Sequence, residues 1–177
     1  MEETGAGQHY RDARITTIYE GTNGVQAMDL LGRKIVRDGG EAAQIFMEKV
    51  EKTIDQLDLK IESHASLSKH LKDSVGALRE TVDWMLDTFK LEPGYAAAGA
   101  TALVEMMGLI SGGWMLARGA IEASRQISDG SGDPKFLSSK LVTARYFAEV
   151  HLSRASSLVG PIKNGGSCVM DFDAAQF

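Results

Sequence analysis

The apolar positions of this chain keep a helical beat from residue 43 to residue 158. Ala43, Met47, Val50, Ile54, Leu57 and Ile61 are spaced 4-3-4-3-4. Leu67, Leu71, Val75, Leu78, Val82, Met85 and Phe89 keep nearly the same rhythm. So do Leu103, Met107, Ile110, Trp114, Ala117 and Ile121, and then Leu137, Leu141, Ala144, Ala148, His151, Ala155 and Leu158. A mean spacing near 3.5 residues keeps each set on one helical seam, and such seams pack helices about 20° apart with left-handed twist. Breaks at Glu62–Ser66, Glu92–Gly94 and Ser128–Asp133 separate the runs, and short connections make consecutive helices antiparallel neighbours. The pattern therefore predicts an all-α, up-down-up-down four-helix bundle. Asp133-Pro134 has the N-cap and N1 residues of a helix start. Gly160-Pro161 reads as the end of the bundle, leaving Lys163–Phe177 as a Gly-containing tail.

Ahead of the bundle, Val25, Met28, Leu31 (or Leu30) and Ile35 predict a shorter helix to about Arg37, stopped by Gly39-Gly40. The stretch before it, Tyr10–Gln26, carries the only pattern with chemical content. Ile15, Ile18 and Tyr19 form an apolar run that delivers one carboxylate, Glu20, into a turn at Gly21. Thr22 or Asn23 can cap the next helix, and Asn23 with Gln26 has the spacing of a capping box. A carboxylate among bulky apolar groups at such a junction is open to desolvation, which raises a carboxyl pKa toward the range of a general base. The same residues also describe an ordinary helix start preceded by an exposed Glu. Periodicity leaves Tyr10–Tyr19 open between a short helix and an extended approach, and Met1–Gln8 reads as a linker or frayed end.

Composition narrows the function classes. The 177 residues carry a net charge of −5, which gives no reason to expect a nucleic-acid partner. A single cysteine, Cys168, cannot form an intramolecular disulfide and fits a reducing compartment. The first residues have no basic segment followed by an apolar one, so they do not read as a signal peptide. Ala96–Ala117 has Glu105 as its only ionisable residue, which is long enough to raise a membrane span. Glu105 near its middle and the glycines at 99, 108, 112 and 113 read instead as the most buried bundle helix, so no membrane is expected. His64 and His70, six apart, lie on different helix faces, and His9 and His151 are isolated, so no metal site is expected. His151, in the apolar seam, reads as a hydrogen-bonded core histidine.

The residues YRDARITTIYEGT followed by Gln26 resemble the signature near the C-terminus of the FAD-dependent acyl-CoA dehydrogenases, over roughly Glu2–Arg37. The resemblance implies that Glu20 is the base that removes the α-proton of an acyl-CoA thioester, while the β-hydrogen leaves as hydride to the flavin. The product would be the trans-2-enoyl-CoA. It implies that Gly21 lies beside the bound thioester and Thr22 against the flavin, with Ile15, Ile18 and Tyr19 lining its neighbourhood. Many members have Ser-Gln after this Thr; here Asn23-Gly24 follow, so any flavin contact there falls to backbone or to Asn23.

On this resemblance residues 1–40 are expected to be the end of the catalytic domain, and 41–177 an appended helical bundle with its tail. The pattern is that of the enlarged bacterial members acting on short thioesters. The whole enzyme would be cytoplasmic and would pass electrons to an electron-transfer flavoprotein. This chain alone holds one side of the expected site and is expected to bind neither FAD nor acyl-CoA. Its exposed apolar helix Val25–Arg37 would be covered most simply in a homodimer. The alternative is a stand-alone helical oligomerisation or docking module without catalysis.

Overall fold

The structure, a computed structural model, describes residues 5–18, 22–173 and 175. Among these there are helices and turns and no strand, so the fold is all-α as the seams predict. Helix α1 is Ala6–Arg14, followed by a 3-10 turn at Ile15–Thr17. Helix α2, Asn23–Asp29, continues without a break into a π-helical stretch, Leu30–Val36. Then come α3 (Glu41–Ile54), α4 (Glu62–Leu91), the short α5 (Pro93–Ala98), α6 (Ala100–Ser128) and α7 (Pro134–Val150). A 3-10 segment, Leu152–Leu158, leads into α8, Val159–Met170.

Helices α3, α4, α6 and α7 make the bundle. Both α3 and α7 pack on α4 and on α6, and α4 packs on α6, so α3 and α7 occupy diagonal corners. Val50, Leu67, Leu71, Leu78, Met85, Leu103, Met106 and Ile110 are fully buried between them. Exposed ion pairs tie helix to helix: Arg79 to Glu51, Arg145 to Glu62, Arg154 to Glu105 and Lys163 to Glu80. On the α6 surface Glu122 accepts from Arg125 and then from Gln126, and these bonds hold its carboxyl down at about 2, against an ordinary 4.5. A depressed carboxyl supports the fold above its ordinary range and loses that support as pH falls through about 2. A carbon-detected NMR titration is expected to find Glu122 still charged at pH 3, and Arg125→Ala to return it to the usual carboxylate range.

Several details differ from the expected pattern. The break after α3 lies at residues 55–61, a turn earlier than 62–66, because the side chain of Asp58 accepts from the Lys60 N–H and its own N–H is taken by His64. His64 is thus the core histidine: it is 2% exposed, its Nδ1 accepts from the Asp58 N–H, and its Nε2 meets Ser124 Oγ at 3.0 Å. His151, expected in that role, is half-buried between the rings of Tyr146 and Phe147. His64→Leu is expected to cost about 1–3 kcal/mol in urea unfolding by stranding two polar partners, and His151→Ala less.

The buried line of α6 runs through Leu103, Met106, Ile110, Gly113, Ala117 and Ala120. It is turned by one residue from the expected Met107, Trp114 and Ile121. A Cβ at Gly113 would stand 2.7 Å from Leu152 Cδ2, so the inner line is set by close helix approach there. The indole of Trp114 moves to the rim, where its N–H donates to Thr53 Oγ1 at 2.8 Å and satisfies a polar group that full burial would strand. Only about a third of the most apolar stretch of α6 is buried, so the helix expected to be the most buried is not; α4 has more buried positions, while α6 contacts every other bundle helix.

The expected tail is largely helical. Pro161 sits in the first turn of α8, where an amide hydrogen has no intrahelical acceptor to lose. The helix docks on α5 so closely that a Cβ at Gly166 would lie 3.0 Å from backbone atoms of Tyr95.

Candidate functional site at the start of α2

Helix α2 starts at Asn23, with Thr22 at its N-cap position. Chain direction is set by α1 and the 3-10 turn Ile15–Thr17. Tyr19, Glu20 and Gly21, the expected base and its two neighbours, lie outside the described residues. Either side of them the chain is placed. Ile15 and Ile18 are exposed, at 48% and 66%. Thr22 is the N-cap position of α2 and Asn23 its first residue.

The expected capping box does not form. Thr22 has φ −92° and ψ −5°, and its side chain makes no capping bond. A capping side chain needs the extended backbone that turns it back over the first amides, whereas here the backbone is already helical. With Thr22 as the cap, Gln26 falls one place too late for the reciprocal bond, and its own N–H donates to the Thr22 carbonyl at 2.9 Å. Its side chain is thereby left to face the same side as Thr22.

Ile15, Thr16, Thr22, Asn23 and Gln26 line one open cleft of about 560 Å³. Three of the residues singled out in the sequence, Ile15, Thr22 and Asn23, are brought together there. Ile18 is close in sequence but does not line the cleft. Thr16 and Gln26 were not expected as site residues. Gln26 could have been found from its spacing, since four residues after Thr22 is the same helix face. The cleft brings an apolar side chain, Ile15, together with residues that carry hydroxyl and amide groups.

The far face of α2 is held by the bundle. Ala27, Leu31 and Ile35 are 2%, 0% and 1% exposed, while Val25 and Met28, expected on the same face, are 67% and 45% exposed. The π-helical turn explains the exchange. In a continuous α-helix positions spaced 4-4 drift around the axis, and the wider turn, in which the Arg37 N–H reaches back to the Gly32 carbonyl at 3.1 Å, brings Ile35 back into line. So α2 has two apolar faces, one fixed on the bundle and one open beside the cleft. Among the described residues no cluster of His, Cys, Asp or Glu could hold a metal.

Comparison with known proteins gives this geometry a family. Residues 46–173 match the family described as acetyl-CoA dehydrogenase C-terminal like. The chain is 36% identical over 170 residues to 3-methylmercaptopropionyl-CoA dehydrogenase of Ruegeria pomeroyi, covering 96% of this chain and 29% of that protein. It is 31% identical over 180 residues to a broad-specificity linear acyl-CoA dehydrogenase of Mycobacterium tuberculosis, again 96% of this chain and 29% of the relative. A butyryl-CoA dehydrogenase of Syntrophomonas wolfei matches at 25% identity over 83% of this chain and 24% of its own length. The chain therefore spans less than a third of the length of the curated relatives it matches. With a helical bundle whose residues 46–173 match along most of their length, the chain belongs to the acetyl-CoA dehydrogenase C-terminal-like family.

Proposed function

We propose that this chain is the C-terminal part of an acyl-CoA dehydrogenase, with residues 1–40 closing its active site and residues 41–177 forming an appended bundle. The observation that carries the reading is the cleft at the start of α2. Residues on both sides of Glu20 in the sequence, Ile15 before it and Thr22 after it, border one cavity, which supports a role for the intervening carboxylate at that cavity.

In this reading Glu20 takes the proton from the α-carbon of an acyl-CoA thioester, and Gly21 leaves room for the thioester beside it. Ile15, Ile18 and Tyr19 would line the neighbourhood of the flavin, and the bound substrate and cofactor would desolvate the carboxylate, keeping it a stronger base toward a weak carbon acid. The polar groups of Thr22 and Asn23 fit the hydrogen-bonding edge of a flavin, and these residues would hold it. FAD, when bound, would accept the β-hydrogen as hydride. Two of the relatives are named for short thioesters, 3-methylmercaptopropionyl-CoA and butyryl-CoA, which supports substrates of that class, while the third is named for broad specificity toward linear acyl-CoA. An electron-transfer flavoprotein as acceptor, a homodimeric enzyme and a cytoplasmic location belong to the same reading. It is tested by Glu20→Gln in the complete protein, followed by flavin reduction on mixing with acyl-CoA. An unchanged reduction rate would overturn the assignment of the base.

A further inference from the structure

Between α6 and α7, towards the turn that joins them, the surface closes into a hollow of about 340 Å³. Most residues that line it are apolar or glycine, and three are polar: Glu122, Gln126 and Lys140. A mostly apolar hollow with a few polar groups, set between two helices of a bundle, has the make-up of a small-molecule site. The space comes from small residues on α6, Gly119, Ala120 and Ala123. A Cβ at Gly119 would meet nothing within 4 Å. Met115 and Phe136 border the hollow without filling it and stay 45% and 57% exposed. On α6 the lining runs from Met115 to Gln126, roughly 16 Å of helix, so the hollow is long rather than round. It shares no residue with the cleft at the start of α2.

The charges around it favour an anion. Lys140 Nζ lies 4.8 Å from the centre of the Phe136 ring, and among the described residues no carboxylate pairs with it. Arg118, which donates to Met115 Sδ at 3.9 Å, has no carboxylate partner there either. Glu122, the acid on the lining, is already taken by Arg125 and Gln126. We propose that this hollow binds a linear monocarboxylate, its alkyl chain lying along Gly119, Ala120 and Ala123 and its carboxylate meeting the Lys140 ammonium. Each methylene taken out of water is worth about fourfold in affinity, and an exposed ion pair no more than about fivefold. The chain therefore supplies most of the binding and Lys140 the orientation and the preference for an acid. A compact polyanion would leave the apolar lining wet, and a neutral lipid would leave Lys140 without a partner. Met115 is unbranched and adaptable, so the hollow can take chains of more than one length. Nothing in this depends on the role of Glu20.

The test is an NMR titration of the isotope-labelled chain with sodium octanoate, below the concentrations that form micelles, beside sodium acetate and octanol. Octanoate is expected to shift the amide signals of Gly119, Ala120, Ala123 and Lys140 to saturation. Acetate, which has the head alone, is expected not to saturate them, and octanol, which has the tail without the charge, to bind about two- to fivefold more weakly than octanoate. Gly119→Leu puts a side chain into the open space and is expected to abolish the shifts, with helix content by circular dichroism unchanged. Lys140→Gln is expected to weaken octanoate about two- to fivefold and to leave octanol as it was, while Lys140→Arg keeps the preference for the acid. The absence of a saturable shift with octanoate would overturn the proposal, as would octanoate binding that survives Gly119→Leu. Equal affinity for octanoate and octanol would overturn it too, since the hollow would then be an apolar gap that does not read the carboxylate.

Discussion

Glu20→Gln in the complete protein is expected to leave flavin content intact and to slow flavin reduction by acyl-CoA about 10²–10⁴-fold, the usual worth of a general base. Glutamine keeps the size and polarity of glutamate and loses only the ability to take a proton. The cleft at the start of α2 is lined by Ile15, Thr16, Thr22, Asn23 and Gln26, and no flavin contact proposed there is assigned to the carboxylate. The residues proposed to hold the cofactor are thus separate from the residue proposed to do the chemistry. Stopped-flow bleaching of the flavin separates the two, since binding sets the starting absorbance and the base sets the rate. The wild-type rate should also rise with pH as the carboxyl ionises, and this rise should vanish in the variant. Retained pH dependence with a near-normal rate would place the base on another residue.

Leu71→Ala is expected to cost about 2–5 kcal/mol of stability, the range for deleting a buried leucine side chain. Leu71 is 0% exposed in the middle of α4, against the stretch of α6 where Gly113 lets the helices close up. That closeness is why the loss should fall toward the upper end. Helices already in contact through a glycine have little further to collapse, so the deleted atoms leave a void rather than a rearrangement. Thermal unfolding of the chain is expected to show a midpoint lower by roughly 2–4 °C for each kcal/mol. A change smaller than that of an exposed substitution such as Leu91→Ala, at a position 84% exposed, would mean that the core is looser there than its geometry requires.

How much of this was legible in the sequence depended on how local the cause was. On α3 and α4 the expected seam is the buried line, because each position there meets a bulky neighbour and period alone decides. On α6 the line turned by one residue because Gly113 and Trp114 are adjacent. Their order of burial depends on what α4 and the Leu152 segment bring to that point, and no spacing rule contains it. The exchange of His151 for His64 has a similar origin. His64 is a core residue because the 55–61 loop folds over it and supplies the Asp58 N–H. The π-helical turn was invisible for another reason, since Ala27, Leu31 and Ile35 fit a helix pattern no better than Val25 and Met28 until a wider turn is allowed. At the cleft, the grouping of Ile15, Thr22 and Asn23 followed from chain proximity. Gln26 has the N3 spacing from Asn23, but the helix starts one residue earlier than that box requires, with Thr22 as its N-cap position, which places Gln26 on the face of Thr22.

The docking of α8 on α5 also orders events in time. Helices α3, α4, α6 and α7 follow one another with short connections, and contacts close in sequence form quickly. During synthesis each can find its neighbour soon after it is made. Helix α5 is different, because Tyr95 and Gly99 are covered by Gly166 and Ile162, some sixty to seventy residues further on. That contact can close only once the last helix is made, and it carries a loop-closure cost like that of α7 on α4. A ribosome that stalls before residue 160 would therefore display a paired bundle with one raw end, which chaperones and proteases recognise by its uncovered apolar surface.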